Sequence, residues 1–585
     1  MSHRSADLVV RNGLIVDGSG AEPFEGDVAM VDGRIHAVGP GLCIKGSEEI
    51  DAKGLLVTPG FVDIHTHYDG QVTWENRLVP SSSHGVTTVL MDNCGVGFAP
   101  CRPDHHDMLI RLMEGVEDIP HPVLVDGVPW AWESYPDYLD FIASRRFDMD
   151  VCGYLPHSAL RVYVMGQRAV DLEPATQADR LAMAKLLSEA MTAGAMGLST
   201  SRTYLHRSSR GESIPTLRAE EEEMTALALA LRDAGKGVLQ MIVDFHEDPV
   251  AAFGLMRRLV ECSGRPLSFT LAEGVQGEFD NPWRQILDWI AEANGRGLPI
   301  KGQVLGRPVG LVFGHELTLN PFYSTESYQA LSALPFEARI AMLRRPEVRA
   351  RILGEQTDAT PINPLGRLVR NFDGMYQLGD PPNYEPDPGT SIGARARRLG
   401  VRPEALAYDL LLERDGHTHI YDTIANYANG SLDTCLAMMR HSGTVLGLGD
   451  GGAHCGTICD GSAPTFMLTH WARDRSRGER MPLPWIVRAL CHDTASAVGL
   501  LDRGRIGVGY KADLNIIDFD RLRLHPPEVT HDLPGGGRRL VQRADGYVAT
   551  IVNGTPVCRH GESTGQLPGR LVRGPQARPL HPVQA

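Results

Sequence analysis

His65 and His67 are the residues of this chain with the clearest capacity for chemistry. They end the short apolar run Val57-Thr-Pro-Gly-Phe-Val-Asp-Ile-His-Thr-His67 and stand one residue apart. On a β-strand, residues i and i+2 face the same side, so both imidazoles can reach one metal ion. Pro59-Gly60 in front, the acidic Asp63 and the apolar stretch from Phe61 to Ile64 set this pair apart from a chance His-x-His. Cys94 ends a second strand-like run, Thr87-Thr-Val-Leu-Met-Asp-Asn-Cys-Gly. A thiolate there suits Zn²⁺, whose charge ionises a bound thiol at neutral pH; an inert buried thiol is the alternative. Asp450, in Leu446-Gly-Leu-Gly-Asp-Gly-Gly452, has small neighbours that leave room beside its carboxylate, although it can equally cap the loop that follows.

All four residues fall at the ends of predicted strands, which is where side chains leave the packed interior of an α/β barrel. Between about 58 and 500, apolar runs such as Val86-Thr-Thr-Val-Leu-Met, Gly237-Val-Leu-Gln-Met-Ile-Val and Pro266-Leu-Ser-Phe-Thr-Leu alternate with helical segments such as 175–193 and 220–234. The two ends of the chain read differently. Leu8-Val-Val-Arg-Asn-Gly, Asp27-Val-Ala-Met-Val-Asp-Gly and, far downstream, Val548-Ala-Thr-Ile-Val-Asn-Gly are short strands closed by hairpin signals. The expected fold is α/β: a (β/α)8 TIM-like barrel with a small β-sandwich domain built from both chain ends. Its divisions are 1–57 and 501–565 for the sandwich, 58–500 for the barrel with an insertion at about 310–430, and 566–585 for a C-terminal tail whose last 15 residues look frayed.

With 585 residues, 42% hydrophobic and 22% charged, the composition is that of an ordinary globular protein. A formal net charge of −15 argues against nucleic-acid or anionic-membrane partners, which need a basic face. The first residues lack an apolar leader, and no run of about 18 apolar residues follows, so a cytoplasmic protein is expected. The ten cysteines are scattered and form no dense disulfide framework; Cys455 and Cys459 lack a second pair and read as plain thiols. The expected partner is a small-molecule substrate, and a homo-oligomer is left open.

Gly60-Phe-Val-Asp-Ile-His-Thr-His67, preceded by the strand-rich N-terminus and followed by Gly85-Val-Thr-Thr88, resembles the amidohydrolase superfamily of metal-dependent hydrolases. Asn93-Cys94-Gly95, Gly115-Val-Glu-Asp-Ile-Pro120, Trp130-Ala-Trp-Glu-Ser134 and His157-Ser-Ala-Leu-Arg161 resemble its D-aminoacylase branch, over most of the chain. The resemblance implies Cys94 as a zinc ligand beside His65 and His67. It implies Asp450 as the last-strand aspartate that ligates the metal, takes a proton from the attacking water and passes it to the leaving amine. The implied reaction is hydrolysis of a linear amide C–N bond, as in an N-acyl amino acid.

The chain departs from that branch at strands five and six, where metal-binding histidines are expected. The matching stretches read Val238-Leu-Gln-Met-Ile-Val-Asp-Phe-His246 and Leu267-Ser-Phe-Thr-Leu-Ala-Glu273. Gln240, His246, Glu273 and His206 are the candidate replacements, each with a plain structural reading beside it. The expectation is one Zn²⁺ per chain rather than two. Arg161 and Arg202 are candidates for gripping a substrate carboxylate, with His157, Ser158 and His206 as further polar contacts; barrel-end salt bridges are the alternative for the arginines. A cyclic-amide or lactone hydrolase and a catalytically inactive binding scaffold are the competing functional readings.

Overall fold

A computed structural model describes residues 5–274, 281–355 and 368–580. Residues 356–367 of the expected insertion and 581–585 of the expected tail lie outside these. The chain opens on β1 (Ala6–Ile15), β2 (Phe24–Val31) and β3 (Arg34–Gly39), which pair antiparallel. The β2–β3 turn places Asp32 and Gly33 at φ 50° and 72°, the paired left-handed geometry that Asp-Gly supplies to a tight hairpin. β4 (Gly46–Asp51) and β5 (Leu56–Pro59) run parallel to β1. Leu8, Val10, Ile15, Val28 and Met30 bury one face of this layer.

The middle of the chain supplies two parallel sheets. β6 (Phe61–Asp63), β7 (Val86–Met91) and β8 (Asp150–Gly153) form one. The other runs in order through β9 (Leu155–Pro156), β10 (Gly197–Arg202), β11 (Val238–Val243), β12 (Leu267–Thr270) and β13 (Ile300–Val304). Every residue of β7 is buried, which is why this segment reads as a continuous apolar and threonine run without alternation. Helices connect the strands. Helix Gln177–Ala193 starts on a capping box between Thr176 and Asp179, stops at Gly194 with φ 117°, and buries Met183, Leu187, Ala190 and Met191.

After β13 the chain leaves the parallel layer to build β14 (Val309–Phe313), β15 (Met375–Gln377) and β16 (Ile420–Ala425), an antiparallel sheet with β16 in the middle. This segment has its own apolar cluster, with Phe313, Leu343, Ile352, Met375 and Ile420 at its centre. The chain then returns to the second parallel sheet as β17 (Thr444–Leu446). Backbone bonds tie the two sheets at both joints. Tyr154 N–H donates to Met91 O at 3.2 Å, and His67 N–H donates to Gly451 O at 2.8 Å.

β18 (Leu514–Ile517) then inserts between β5 and the strand Tyr547–Val552, so both chain ends share one nine-stranded sheet. The expectation of a frayed tail fails for its described part. Gly569 N–H donates to Phe147 O at 2.8 Å, Val572 N–H to Val151 O at 2.7 Å, and Gln576 N–H to Gly499 O at 2.9 Å. These are main-chain bonds, which the Pro/Gly/Arg composition of the tail does not announce. Among the described residues no helix is long and apolar enough to cross a membrane.

Candidate metal centre

β6 is only three residues long, and its carboxyl end delivers His65 and His67 into a fully buried space. Asp63 accepts the His65 backbone N–H at 3.1 Å and fixes the chain as it leaves the strand. This closeness demands glycine opposite, because a Cβ at Gly449 would lie 2.1 Å from Asp63 Oδ2. Cys94 follows β7 with φ 55°, a left-handed backbone that a side chain adopts only under constraint. Gly95 beside it has φ 71°, and a Cβ there would sit 2.7 Å from Thr200 Cα.

These turns bring the three side chains together. One ligand atom each from His65, His67 and Cys94 lies within 4.8 Å of the others, and Cys94 Sγ is 3.3 Å from His65 Nε2. Asp450 completes the group: its Oδ1 stands 3.5 Å from His65 Nε2 and 3.7 Å from His67 Nε2. A hydrogen-bond chain sets the His65 tautomer. Gln303 Nε2 donates to Ser268 Oγ at 3.0 Å, which turns Gln303 Oε1 toward His65 Nδ1 at 2.6 Å. Nδ1 therefore carries the hydrogen, and the Nε2 lone pair faces Cys94 and Asp450.

The electrostatics describe a place short of positive charge. Burial raises the Cys94 thiol well above its ordinary value, and the carboxylates of Glu117, Asp450 and Asp69 add to it. Burial, then Asp460 and Asp63, raises Asp450 in the same way. His65 is pushed down to about 4 by burial, with the Gln303 bond opposing. Neutral imidazoles, a thiol that ionises only beside a cation and an uncompensated carboxylate are a donor set suited to a divalent metal ion.

Two residues at this centre escaped the sequence reading. Glu117 ends the helix His106–Glu117, is 1% exposed, and places Oε1 3.2 Å from His67 Nδ1 without hydrogen-bond alignment. Its other oxygen is 3.6 Å from His454 Nε2. An acid buried at a helix C-terminus opposes the helix dipole, and that was the available signal. His454 follows Asp450 by four residues on a glycine-rich loop, a spacing that repeats no recognisable element.

Among the other candidates, His206 Nδ1 meets Ser201 Oγ at 3.0 Å, and burial with the nearby His454 and His65 pushes this imidazole down to about 3. His206 therefore borders the centre. Gln240 is buried beside Cys94 and accepts its backbone N–H at 2.9 Å. His246 instead packs against Tyr204 with ring centroids 5.2 Å apart, and Glu273 turns away to Thr434 and the Ala428 N–H.

His157, Ser158 and Arg161 have protein partners rather than an open face. His157 Nε2 contacts Glu223 Oε1 at 2.8 Å and its Nδ1 contacts Thr200 Oγ1 at 2.9 Å. Ser158 Oγ meets Thr216 Oγ1 at 3.4 Å. Arg161 is 1% exposed and spends its donors on Glu223 and on the carbonyls of Pro215 and Glu173. Arg202 donates to the Ala219 carbonyl. The motif 157–161 is a buried ion network, a use of Arg and His that spacing alone does not separate from ligand binding.

A family model for amidohydrolases matches residues 48–558. The chain belongs to the amidohydrolase family. It is 26% identical to a D-aminoacylase of Alcaligenes xylosoxydans xylosoxydans, over 97% of this chain and 97% of that protein. Among solved structures, a D-aminoacylase described for a binuclear metal center with one-metal activation and second-metal attenuation superposes with a TM-score of 0.65, at 22% identity over 97% of this chain and 100% of that one. An N-acyl-D-glutamate deacylase from Bordetella bronchiseptica, complexed with zinc and a phosphonate mimic of the tetrahedral intermediate, gives the same TM-score at 20% identity, 97% coverage of this chain and 100% of that one. At these identities the structural likenesses carry the fold, a TIM barrel with a β-sandwich domain.

Proposed function

We propose that this amidohydrolase hydrolyses the linear amide bond of an N-acyl amino acid. The observation that carries the reading is the convergence of His65, His67 and Cys94 within 4.8 Å, with Asp450 against both histidines. The full-length similarity to a D-aminoacylase supports the substrate class and the D hand. Cyclic-amide hydrolysis and an inert scaffold have no such support.

One zinc per chain is the composition the residues favour. Strands β11 and β12 present Gln240 and Ser268 at buried positions, and both side chains already accept hydrogen bonds, from the Cys94 N–H and from Gln303 Nε2. His65, His67, Cys94 and Asp450 would hold that ion. Bound there, zinc would act as a Lewis acid toward the amide carbonyl and make an adjacent water acidic near neutral pH. Asp450 accepts the proton as water adds to the acyl carbon and returns it to the leaving nitrogen, so the C–N bond breaks to a carboxylic acid and a free amine. Gln303 fixes the His65 ring through its Nδ1, while Glu117 sets a carboxylate beside His67 Nδ1.

In domain terms, 1–57 and 501–565 form the β-sandwich around a (β/α)8 barrel of 58–500, with the excursion at about 310–430 as an insertion. The two joints bonded through Met91 and Gly451 support closure of the barrel. All ten cysteines are free thiols, which supports a reducing, cytoplasmic setting.

The test is amine release from a panel of N-acetyl amino acids of both hands by zinc-loaded protein. Release from D substrates that chelation abolishes is the expected result. Inertness toward every linear amide, with turnover of hydantoins or lactones, would overturn the reading.

A further inference from the structure

Away from the metal centre, a pocket of about 270 Å³ opens between the inserted segment and the strand Gly537–Val541, with His315, Glu316, Asn320, Tyr328, Arg339 and Arg538 around it. In an acidic protein its lining is rich in donors. Arg339 Nη2 donates to His315 O at 2.7 Å, and Arg538 Nη2 donates to Thr318 Oγ1 at 3.3 Å. Neither guanidinium forms a salt bridge among the described residues, and the Nε–H of each is buried without an acceptor. Of the nearby acids, Glu316 lies in the lining and Asp118 feels the charge of Arg538, but the hydrogen-bonding oxygens of both are taken by other partners. Glu316 pairs with His417 Nδ1 at 2.7 Å, and Asp118 accepts from Thr318, Thr457 and the Gly456 N–H.

His315 adds a third unpaired donor, and a chain of bonds shows why. The Phe322 N–H donates to Asn320 Oδ1 at 2.9 Å, so Asn320 Nδ2 is the group that faces Tyr328 Oη at 2.9 Å. Tyr328 then accepts from Asn320 and gives its own hydrogen to His315 Nδ1 at 3.0 Å. The imidazole is 2% exposed and held neutral by burial and by the charge of Arg339. Its proton therefore sits on Nε2, which has no partner. Three lining residues thus leave buried N–H donors with nothing to accept them, a costly arrangement unless an acceptor arrives.

We propose that this pocket binds a small oxyanion, the carboxylate or phosphate group of a small molecule, between Arg339 and Arg538 with the His315 Nε2–H as third donor. Guanidinium matches both groups bidentately, and the volume admits a molecule of a few heavy atoms beyond the anionic head. The site is joined to the catalytic end through Thr318 and Asp118, the residue after Glu117.

Calorimetric titration of zinc-loaded full-length protein with inorganic phosphate and, separately, with succinate tests this. Wild type should bind at least one of them saturably, and which one it prefers identifies the headgroup. Arg538→Gln and Arg339→Gln should each weaken that binding roughly tenfold or more. Arg344→Gln, which removes an exposed pair with Asp415, should leave it unchanged. Arg538 is only partly buried and has one side-chain bond, so its variant decides the matter if Arg339→Gln fails to fold. Absence of binding to wild type overturns the proposal, as does binding that persists unchanged in Arg538→Gln and so belongs to the metal centre.

Discussion

The two ends of the parallel strands bury carboxylates in opposite ways. At the amino end of β8, Asp150 accepts Arg503 Nη1 at 2.9 Å and touches Lys511 Nζ. Burial alone would raise this carboxyl, but Lys511 and Arg503 reverse the effect and hold it below its ordinary range. At the carboxyl ends, the partly buried Asp450 and the buried Glu117 stand among neutral histidines, and both are raised well above the usual values. One end carries its counter-ions in the chain and serves stability. The other leaves its negative charge unmatched, as a site does when a cation is to come from outside.

That contrast can be broken with paired variants. Asp450→Asn removes the proton carrier and should lower turnover by about 10²–10⁴-fold in an N-acyl amino acid assay. In the metal-free protein the same change relieves a buried acid, so urea unfolding should report a gain of about 1 kcal/mol or more. Asp150→Asn should do the reverse, costing about 3–5 kcal/mol because Arg503 and Lys511 are left buried without a partner. Zinc added to metal-free wild type at about 100 times its Kd should raise unfolding free energy by about 2.7 kcal/mol, seen as a higher Tm, and should do so far less for His65→Ala.

The pH dependence separates the two ends with opposite signs. Asp150 has a folded-state pKa below its unfolded value of 3.8, so its stabilisation is present above that pH and drains away as pH falls. The gap between wild type and Asp150→Asn in urea should therefore narrow below that pH. Asp63 is raised to about 7 by burial, against the His65 N–H, so its contribution is present below pH 3.8 and is lost as pH rises toward 7. Metal-free Asp63→Asn should gain on wild type across that interval, by up to about 4 kcal/mol.

The sequence exposed this centre unevenly, for physical reasons. His65 and His67 were legible because a strand alternates faces, and two residues suffice to state the geometry. Cys94 and Asp450 needed a family resemblance, since one residue at a strand end has no spacing to read. Glu117 and His454 reach the centre through a helix terminus and a loop, and their convergence depends on contacts hundreds of residues apart. His157 and Arg161 were read as ligand groups because Arg and His suit both jobs; Glu223, which claims both, lies more than 60 residues on. The β2–β3 hairpin was plain from its Asp-Gly turn, whereas Asn12-Gly13, read as another turn, is a bulge inside the continuous β1; the ordered tail depends mostly on main-chain bonds, which composition does not announce.

The most direct test of the central claim is metal content by elemental analysis of protein purified without added metal, wild type beside Cys94→Ala. The account predicts about one zinc per wild-type chain and loss of it in the variant, with the fold retained by circular dichroism. Wild type that holds no transition metal, and takes none up on reconstitution, would contradict it.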